Sequence, residues 1–226
     1  MRMLVILLAI VSSTSAMGQS SVTGSITNLD QPVTLSREGR FTGDEAREIG
    51  DQFATCVLNR HYAAVGKALS MPSDSEEQYA ALYKILDPEC WTTGGGMRHM
   101  AGGMDVEMTT NPISFRSSLF KVYVKKNFAR VPLEFVAPPL SATGRNAGMV
   151  AFADCVIRLD VRTSLSLIIS TAGSKAEGEA VRALRPHLNQ CLAPGNTVAL
   201  SKASLSSAIS EAYYREARAA QLVGKR

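Results

Sequence analysis

The chain contains few of the residues from which active sites and metal sites are most often built. Its 226 residues include three histidines, four cysteines and one tryptophan. No His-Glu-x-x-His helix of a zinc protease and no Gly-x-Ser-x-Gly elbow of a serine hydrolase is present. The cysteines also lack the short Cys-x-x-Cys pairs of zinc and redox sites. The sequence therefore contains none of the motifs that identify zinc proteases, serine hydrolases or Cys-x-x-Cys zinc and redox proteins. It indicates no catalytic residue and no cofactor.

A strong excess of one charge and a long apolar run are missing as well. The chain has 24 basic and 20 acidic residues, a net charge of +4, and no basic stripe interleaved with aromatic residues. Proteins that bind nucleic acid show such a stripe, so we expect no nucleic-acid partner. The cleanest apolar run, Leu4 to Val11, is far shorter than the roughly 20 residues of a membrane-spanning helix. We expect no transmembrane segment in the mature chain.

That apolar run has the features of a secretory signal. Arg2 provides a basic start, Leu4 to Val11 an apolar centre, and Thr14 to Ala16 the small residues suited to cleavage. We interpret residues 1–18 as a signal peptide and residues 19–40, rich in serine, threonine and glycine, as a flexible leader. The sequence thus predicts an exported protein, either periplasmic or secreted.

The most informative feature of the sequence is a repeated five-residue motif. Phe-Ala-Thr-Cys-Val at residues 53–57 returns as Phe-Ala-Asp-Cys-Val at residues 152–156, 99 positions later. We interpret the repetition as a tandem duplication, with one unit at residues 41–137 and the other at residues 138–226.

Each copy of the motif contains one cysteine and is followed by a second. Cys56 precedes Cys90, and Cys155 precedes Cys191, at similar separations. Four cysteines allow three pairings, but a unit that was copied should carry its own bridge. The repeat therefore predicts two disulfide bonds, Cys56–Cys90 and Cys155–Cys191.

Helix-start signals recur in both units. Capping boxes, in which serine or threonine is followed three residues later by glutamate, begin at Thr42, Ser73 and Ser174. Apolar residues at helical spacing follow each box. The sequence predicts a mainly α protein whose two units each contain four helices, one disulfide and space for one short β-strand. The candidate strands are Val198 to Leu200 and, as an alternative to helix, Lys121 to Val124.

Three further positions define helix limits. Asn111-Pro112 provides an N-cap followed by a residue with a preset helical backbone, and Asp160 is a candidate N-cap in the second unit. Pro186 should kink or end the helix that contains it.

The final helices of the two units carry opposite charges at matching positions. Their alignment places Lys121 on Glu211 and Lys126 on Glu216. This pattern favours packing of the two units about a pseudo-twofold axis through these helices. The alternative is two unrelated solvated faces, because exposed charge pairs contribute only about 0 to 1 kcal/mol.

Residues 94–108 have the most unusual composition in the chain. Four of the nine methionines and one of the three histidines occur there, among several glycines. Thioethers and an imidazole suit Cu(I), so one interpretation is a copper site. A partner-binding loop and a plain structural loop are the alternatives. The copper ligands would be Met97, His99, Met100 and Met104.

A group of basic residues is a candidate surface for an anionic or acidic partner. The alternative is the solvated face of an amphipathic helix. The residues of this predicted surface are Arg98, Arg116, Lys121, Lys125 and Lys126.

Two features resemble those of uncharacterised exported bacterial proteins with two disulfide-bearing helical repeats. They are the repeated Cys-Val motif and the closing Ser-Glu-Ala-Tyr-Tyr-Arg at residues 210–215. The resemblance covers both units but implies no activity and no functional residue. We expect a non-enzymatic binding or scaffold protein of the cell envelope, whose partner is an envelope protein. One alternative is a copper-binding protein that uses loop 94–108, and another is an enzyme whose catalytic residues are scattered along the chain. Nothing in the sequence indicates an oligomeric state.

Overall fold

A computed structural model of the protein describes residues 43–90, 112–130, 147–192 and 199–223. All regular structure in these residues is helical, so the prediction of a mainly α protein is confirmed. The predicted signal peptide 1–18, leader 19–40 and loop 94–108 lie outside the described residues. The helices are α1 (Gly43–Arg60), α2 (Tyr62–Leu69), α3 (Glu76–Lys84), α4 (Pro112–Asn127), α5 (Ala147–Leu159), α6 (Val161–Ile169), α7 (Lys175–Gln190) and α8 (Lys202–Val223).

Side-chain caps begin α6 and α7 as the sequence predicts. The Asp160 carboxylate accepts a hydrogen bond from the Thr163 amide at 3.0 Å. The Ser174 hydroxyl accepts one from the Glu177 amide at 3.2 Å. Each cap satisfies an amide that has no partner within its own helix. Helix α4 begins at Pro112, also as expected.

The cap of α3 differs from the prediction. Ser75, not Ser73, is the N-cap, and its hydroxyl accepts from the Gln78 amide at 3.1 Å. The reason is the backbone of Asp74, whose φ of 56° turns the chain and leaves Ser75 in the extended conformation of an N-cap. Ser73 is thereby released to bond Glu211 in α8.

The strand predictions receive no support within the described residues. Lys121 to Val124 are helical and lie inside α4. Ala199 and Leu200 form no strand, and Val198 lies outside the described residues. Pro186 does not end its helix, because α7 continues to Gln190.

Helices α4 and α8 occupy the centre of the core. Every residue from Leu119 to Val124 is buried, and so is every residue from Ala208 to Tyr214. Helix α4 packs against α1 and α8, and α8 also packs against α5. A helix that is covered on all sides must bury the charged residues that it carries, and each of these then needs a partner.

The contact between α4 and α8 joins residues at matching positions. The hydroxyls of Ser117 and Ser207 are 2.6 Å apart, and further along both helices the rings of Tyr123 and Tyr214 meet edge to face at 5.3 Å. Because the contacts advance together, the two helices run in the same direction. The opposite charges noted in the sequence do not pair with each other, since Lys121 bonds to Asp51 in α1.

Two disulfide bonds are present, as the sequence predicts. Cys56 in α1 is bonded to Cys90 beyond α3, with the Cα atoms 5.6 Å apart. Cys155 in α5 is bonded to Cys191 at the end of α7, with the Cα atoms 5.8 Å apart. The first bond joins α1 to the segment after α3, and the second joins α5 to the end of α7.

An ion pair joins the first and seventh helices. Arg47 in α1 donates to both carboxylate oxygens of Glu177 at 2.6 and 2.8 Å, and Glu177 is fully buried. Burial alone would raise the pKa of Glu177, but the hydrogen bonds from Arg47 and from the Gly173 amide outweigh it and lower the pKa. The carboxylate therefore stays charged in the interior and holds α7 against α1.

Among the described helices, none combines the length and the apolar character needed to cross a lipid bilayer.

Candidate functional site

A groove of about 360 Å³ lies between α1 and α4. Ten of its twelve lining residues are polar or charged, and the other two are Leu58 and Val122. Helix α1 contributes Glu48, Asp51, Gln52, Thr55, Leu58 and Asn59, helix α4 contributes Lys121, Val122, Lys125 and Lys126, and the turn after α6 contributes Ser170 and Thr171.

Helical periodicity collects these side chains on one side of each helix. Asp51, Thr55 and Asn59 are four residues apart along α1, and Lys121 and Lys125 are four residues apart along α4. Side chains at this spacing are neighbours on a helix surface. The result is a polar strip on each wall of the groove.

An ion pair lies deep in the groove. Lys121 Nζ is 2.6 Å from Asp51 Oδ2, and the lysine side chain is 9% exposed against 21% for the aspartate. A lysine buried in the central helix needs such a partner. The pair cancels its own charge, so neither residue contributes a free charge to a ligand.

The cationic part of the groove is formed by two exposed lysines. Lys126 Nζ donates to Asn59 Oδ1 at 2.7 Å and lies 5.3 Å from the centre of the Tyr62 ring. Lys125 is exposed and forms no hydrogen bond or ion pair with any described residue. Its ammonium group is available to a partner.

The groove does not have the geometry of a nucleophilic enzyme. Its Thr55 hydroxyl donates to the backbone carbonyl of Asp51 at 2.7 Å, and the Asp51 carboxylate is bonded to Lys121. No histidine lines it. Nucleophilic catalysis requires a hydroxyl or thiol hydrogen-bonded to a base, and the described lining residues assemble no such pair.

Arg116 and Lys121 are not part of a surface, in contrast to the sequence prediction. Arg116 is 2% exposed and is held by Glu211 and by Asp74, the latter at 3.3 Å. Lys121 is 7% exposed. Both lie on the central helix α4, which the sequence pattern treated as having a solvated face.

The predicted basic surface is therefore reduced to Lys125 and Lys126 among the described residues. The remaining predicted partner-binding residue, Arg98, and the alternative copper ligands lie outside these residues, and so those predictions stay untested. Within the described part of the chain, no three histidine, cysteine, aspartate or glutamate side chains are arranged to hold a metal ion. The alternative ligands in question are Met97, His99, Met100 and Met104.

Two acid–histidine contacts were missed by sequence reasoning. His61 Nε2 is 2.9 Å from Asp87 Oδ2, which also accepts from Arg60. The hydrogen bond with His61 is the main reason that the pKa of Asp87 is lowered. His187 Nε2 is 3.9 Å from Asp160. His61 and Asp87 are 26 residues apart, and Asp160 and His187 are 27 residues apart, so no local spacing identifies either pair.

A buried charge cluster between α5 and α8 was also missed. Asp154 and Glu216 are each 1% exposed, and both bond to Arg158. The only sequence signal for it is the four-residue spacing of Asp154 and Arg158 within one helix.

Comparison of the chain with models of protein families, with curated proteins and with solved structures finds no match in any of the three.

Proposed function

We propose that the protein is an exported, non-enzymatic binding protein of the cell envelope, and that its groove between α1 and α4 receives an acidic segment of a partner protein. The single observation that carries this proposal is the ammonium group of Lys125, which bonds to no described residue, beside that of Lys126 at the groove.

The charges of the groove favour an acidic partner. Lys121 and Asp51 neutralise each other at 2.6 Å. Glu48 accepts a hydrogen bond from the neutral Gln52 amide at 3.4 Å and keeps its negative charge, so the lining residues together carry a formal net charge of +1. The charges left for a ligand are dominated by the two lysines on the opposite wall, and complementary charge contributes specificity and a faster encounter.

Export is supported by the signal-like start and by the disulfides. Disulfide bonds form and persist in oxidising compartments outside the cytosol. The two bonds described above account for all four cysteines of the chain. Fractionation of producing cells, with mass measurement of the mature protein, tests this part of the proposal. Recovery in the cytosol with an intact N-terminus would contradict it.

A tandem duplication of a four-helix unit, residues 41–137 and 138–226, is supported by matched details of two helix starts. Ser75 and Ser174, 99 positions apart, both cap a helix. The residues before them have positive φ values of 56° and 73°. Gln78 and Glu177, both fully buried, each accept a hydrogen bond from the amide of that preceding residue.

The groove is tested by photo-crosslinking in living cells. A photoreactive residue at position 55, which is exposed in the groove, should form an adduct with the partner. The double variant Lys125→Glu/Lys126→Glu should lose most of this adduct because it replaces two attracting charges by two repelling ones. The matched control is Lys84→Glu, an exposed lysine of α3 outside the groove, which should keep it.

The adduct also identifies the contacted segment of the partner. An acidic segment is the expected result. A basic or apolar segment, or an adduct that survives the double charge reversal, would overturn the proposed role of the groove.

A further inference from the structure

We propose that Asp154 and Glu216 form a proton-binding site, in which the two carboxyl groups hold one proton between them inside the interface of α5 and α8. The ligand is the proton itself, and the site is independent of the groove between α1 and α4.

The geometry provides too few donors for two carboxylates. Arg158 Nε donates to Asp154 Oδ2 at 3.0 Å, and Arg158 Nη2 donates to Glu216 Oε1 at 2.5 Å. The other two oxygens, Asp154 Oδ1 and Glu216 Oε2, are buried and accept no hydrogen bond from any described residue. A buried polar atom without a partner is costly, and a shared proton satisfies both oxygens at once.

The charge count leads to the same conclusion. Within the described part of the chain, two carboxylates at 1% exposure face a single guanidinium, so the fully ionised cluster of these three groups carries one excess negative charge in the interior. Such a charge is expensive in a low-dielectric environment. One proton makes the cluster neutral.

Among the described residues, no other charged group bonds to either carboxylate. In the neighbouring helix α7, Glu177 bonds to Arg47, and Arg182 and Arg185 are exposed. Arg218 of α8 bonds to Gln221. Helix α5 contributes only Asp154 and Arg158, and the one charged residue of α6, Arg162, is exposed. On α8 itself, Arg215 is bonded to Glu211. The charged side chains of α4 are directed elsewhere or exposed, namely Arg116 to Glu211, Lys121 to Asp51, Lys126 to Asn59, and Lys125 at the surface.

The electrostatics agree with this geometry. Burial, followed by the hydrogen bond and the charge of Asp154, raises the pKa of Glu216 to about 7 against an ordinary value of 4.5, and Arg158 offsets only part of the effect. Asp154 is thus the neighbouring group that favours a proton on Glu216.

The proton couples pH to the packing of α5 on α8. The folded chain keeps a proton that the unfolded chain releases between pH 4.5 and about 7. The stabilisation is therefore complete below the lower value and is lost as pH rises through the upper one. Mildly acidic conditions should therefore favour the closed interface over neutral and alkaline ones.

The direct test is a pH titration of the wild-type protein by carbon-13 NMR of its carboxyl groups. One Asp or Glu signal should titrate with a midpoint near 7. Titration of every carboxyl below about pH 5, as ordinary Asp and Glu groups do, would overturn the proposal. This measurement needs no variant, so a failure of a variant to fold cannot obscure it.

Three variants assign the signal. Glu216→Gln should remove it, and Asp154→Asn should move the Glu216 midpoint down toward its ordinary value because the neighbouring negative charge is gone. The control Glu179→Gln, at an exposed residue of α7, should leave it unchanged. In urea, the unfolding midpoint of Glu216→Gln should lack the fall that wild type shows from pH 5 to 8. Persistence of the signal in Glu216→Gln would overturn the assignment.

Discussion

The helix pairs α1–α4 and α5–α8 have the same contact at matching positions but opposite surroundings. In the first pair Lys126 bonds to Asn59 at 2.7 Å, and in the second Glu216 bonds to Arg158 at 2.5 Å. The residues of the first contact are exposed and line a groove, whereas Glu216 is buried. The three matched pairs of residues are Thr55 and Asp154, Asn59 and Arg158, and Lys126 and Glu216.

The difference between the two contacts lies in the side chains at the matched positions. Short neutral side chains at positions 55 and 59 leave space that a partner can enter. An acid and an arginine at the corresponding positions close the second interface around an ion cluster. The first contact therefore borders an open groove, whereas the second is buried.

The largest expected effect tests whether the two halves depend equally on their disulfides. The double variants Cys56→Ala/Cys90→Ala and Cys155→Ala/Cys191→Ala should each lower the free energy of unfolding by about 4 kcal/mol, because the closed loops are of similar length. Urea denaturation under oxidising conditions measures both losses. A difference above about 1.5 kcal/mol would show that local packing, rather than loop length, sets the contribution, and would break the equivalence.

A smaller effect should distinguish the closed interface from the open one. Arg158→Ala leaves two buried acids without a counter-ion and should lower the free energy of unfolding by about 3 kcal/mol at pH 7. The matched control is Asn59→Ala, at the corresponding exposed position, which should change it by less than about 0.5 kcal/mol. Urea denaturation of both variants is the measurement. Equal losses would mean that the two contacts do not differ in energy as their burial indicates.

The turn before α7 and the interior of α7 allow a third comparison. Gly173 has a φ of 73°, and a Cβ atom there would lie 2.8 Å from the Cβ atom of Asp44. Gly173→Ala should therefore lower the free energy of unfolding by about 2 kcal/mol, since a left-handed backbone alone costs roughly 1–2 kcal/mol. The control Gly178→Ala, inside α7 with open space around it, should raise it by about 0.5 to 1 kcal/mol. Thermal unfolding of both variants measures the contrast, and a shift of the same sign in both would contradict it.

The smallest effect comes from transplanting the second interface into the first. Asn59→Arg combined with Lys126→Glu should form an exposed ion pair that changes the free energy of unfolding by no more than about 1 kcal/mol. The same variant should lose the crosslinked partner, because it fills the groove and reverses one of its charges. A double-mutant cycle in urea measures the coupling of the two new residues. Retained crosslinking would show that the open groove is not what the partner requires.

Local features of the fold were predictable from the sequence, because they depend on neighbouring residues. The Ser174 cap, the Asp160 cap and the start of α4 at Pro112 each follow from a short pattern. The prediction of Ser73 as the N-cap of α3 was wrong. The positive φ of Asp74 moves the helix start by two residues, and no local signal indicates that turn.

The candidate site was less predictable, because its character depends on residues far apart in the chain. Lys121 was assigned to a surface, although its position between Phe120 and Val122 was a sign of burial. Its partner Asp51 is 70 residues away. Whether a lysine is exposed depends on which helices cover α4, and a single sequence does not contain that information directly. Lys125 and Lys126 remain on the surface because they lie beyond the covered part of the helix.

The ion pairs Arg47–Glu177 and Arg116–Glu211 each join residues from different four-helix runs. A chain cut between residues 130 and 147 would leave Arg47 and Arg116 in one fragment and Glu177 and Glu211 in the other. Asp44, Asp74 and Arg215 would stay with their partners, but each of the four residues would lose one counter-ion. We therefore expect the two fragments to be more stable when mixed than when apart.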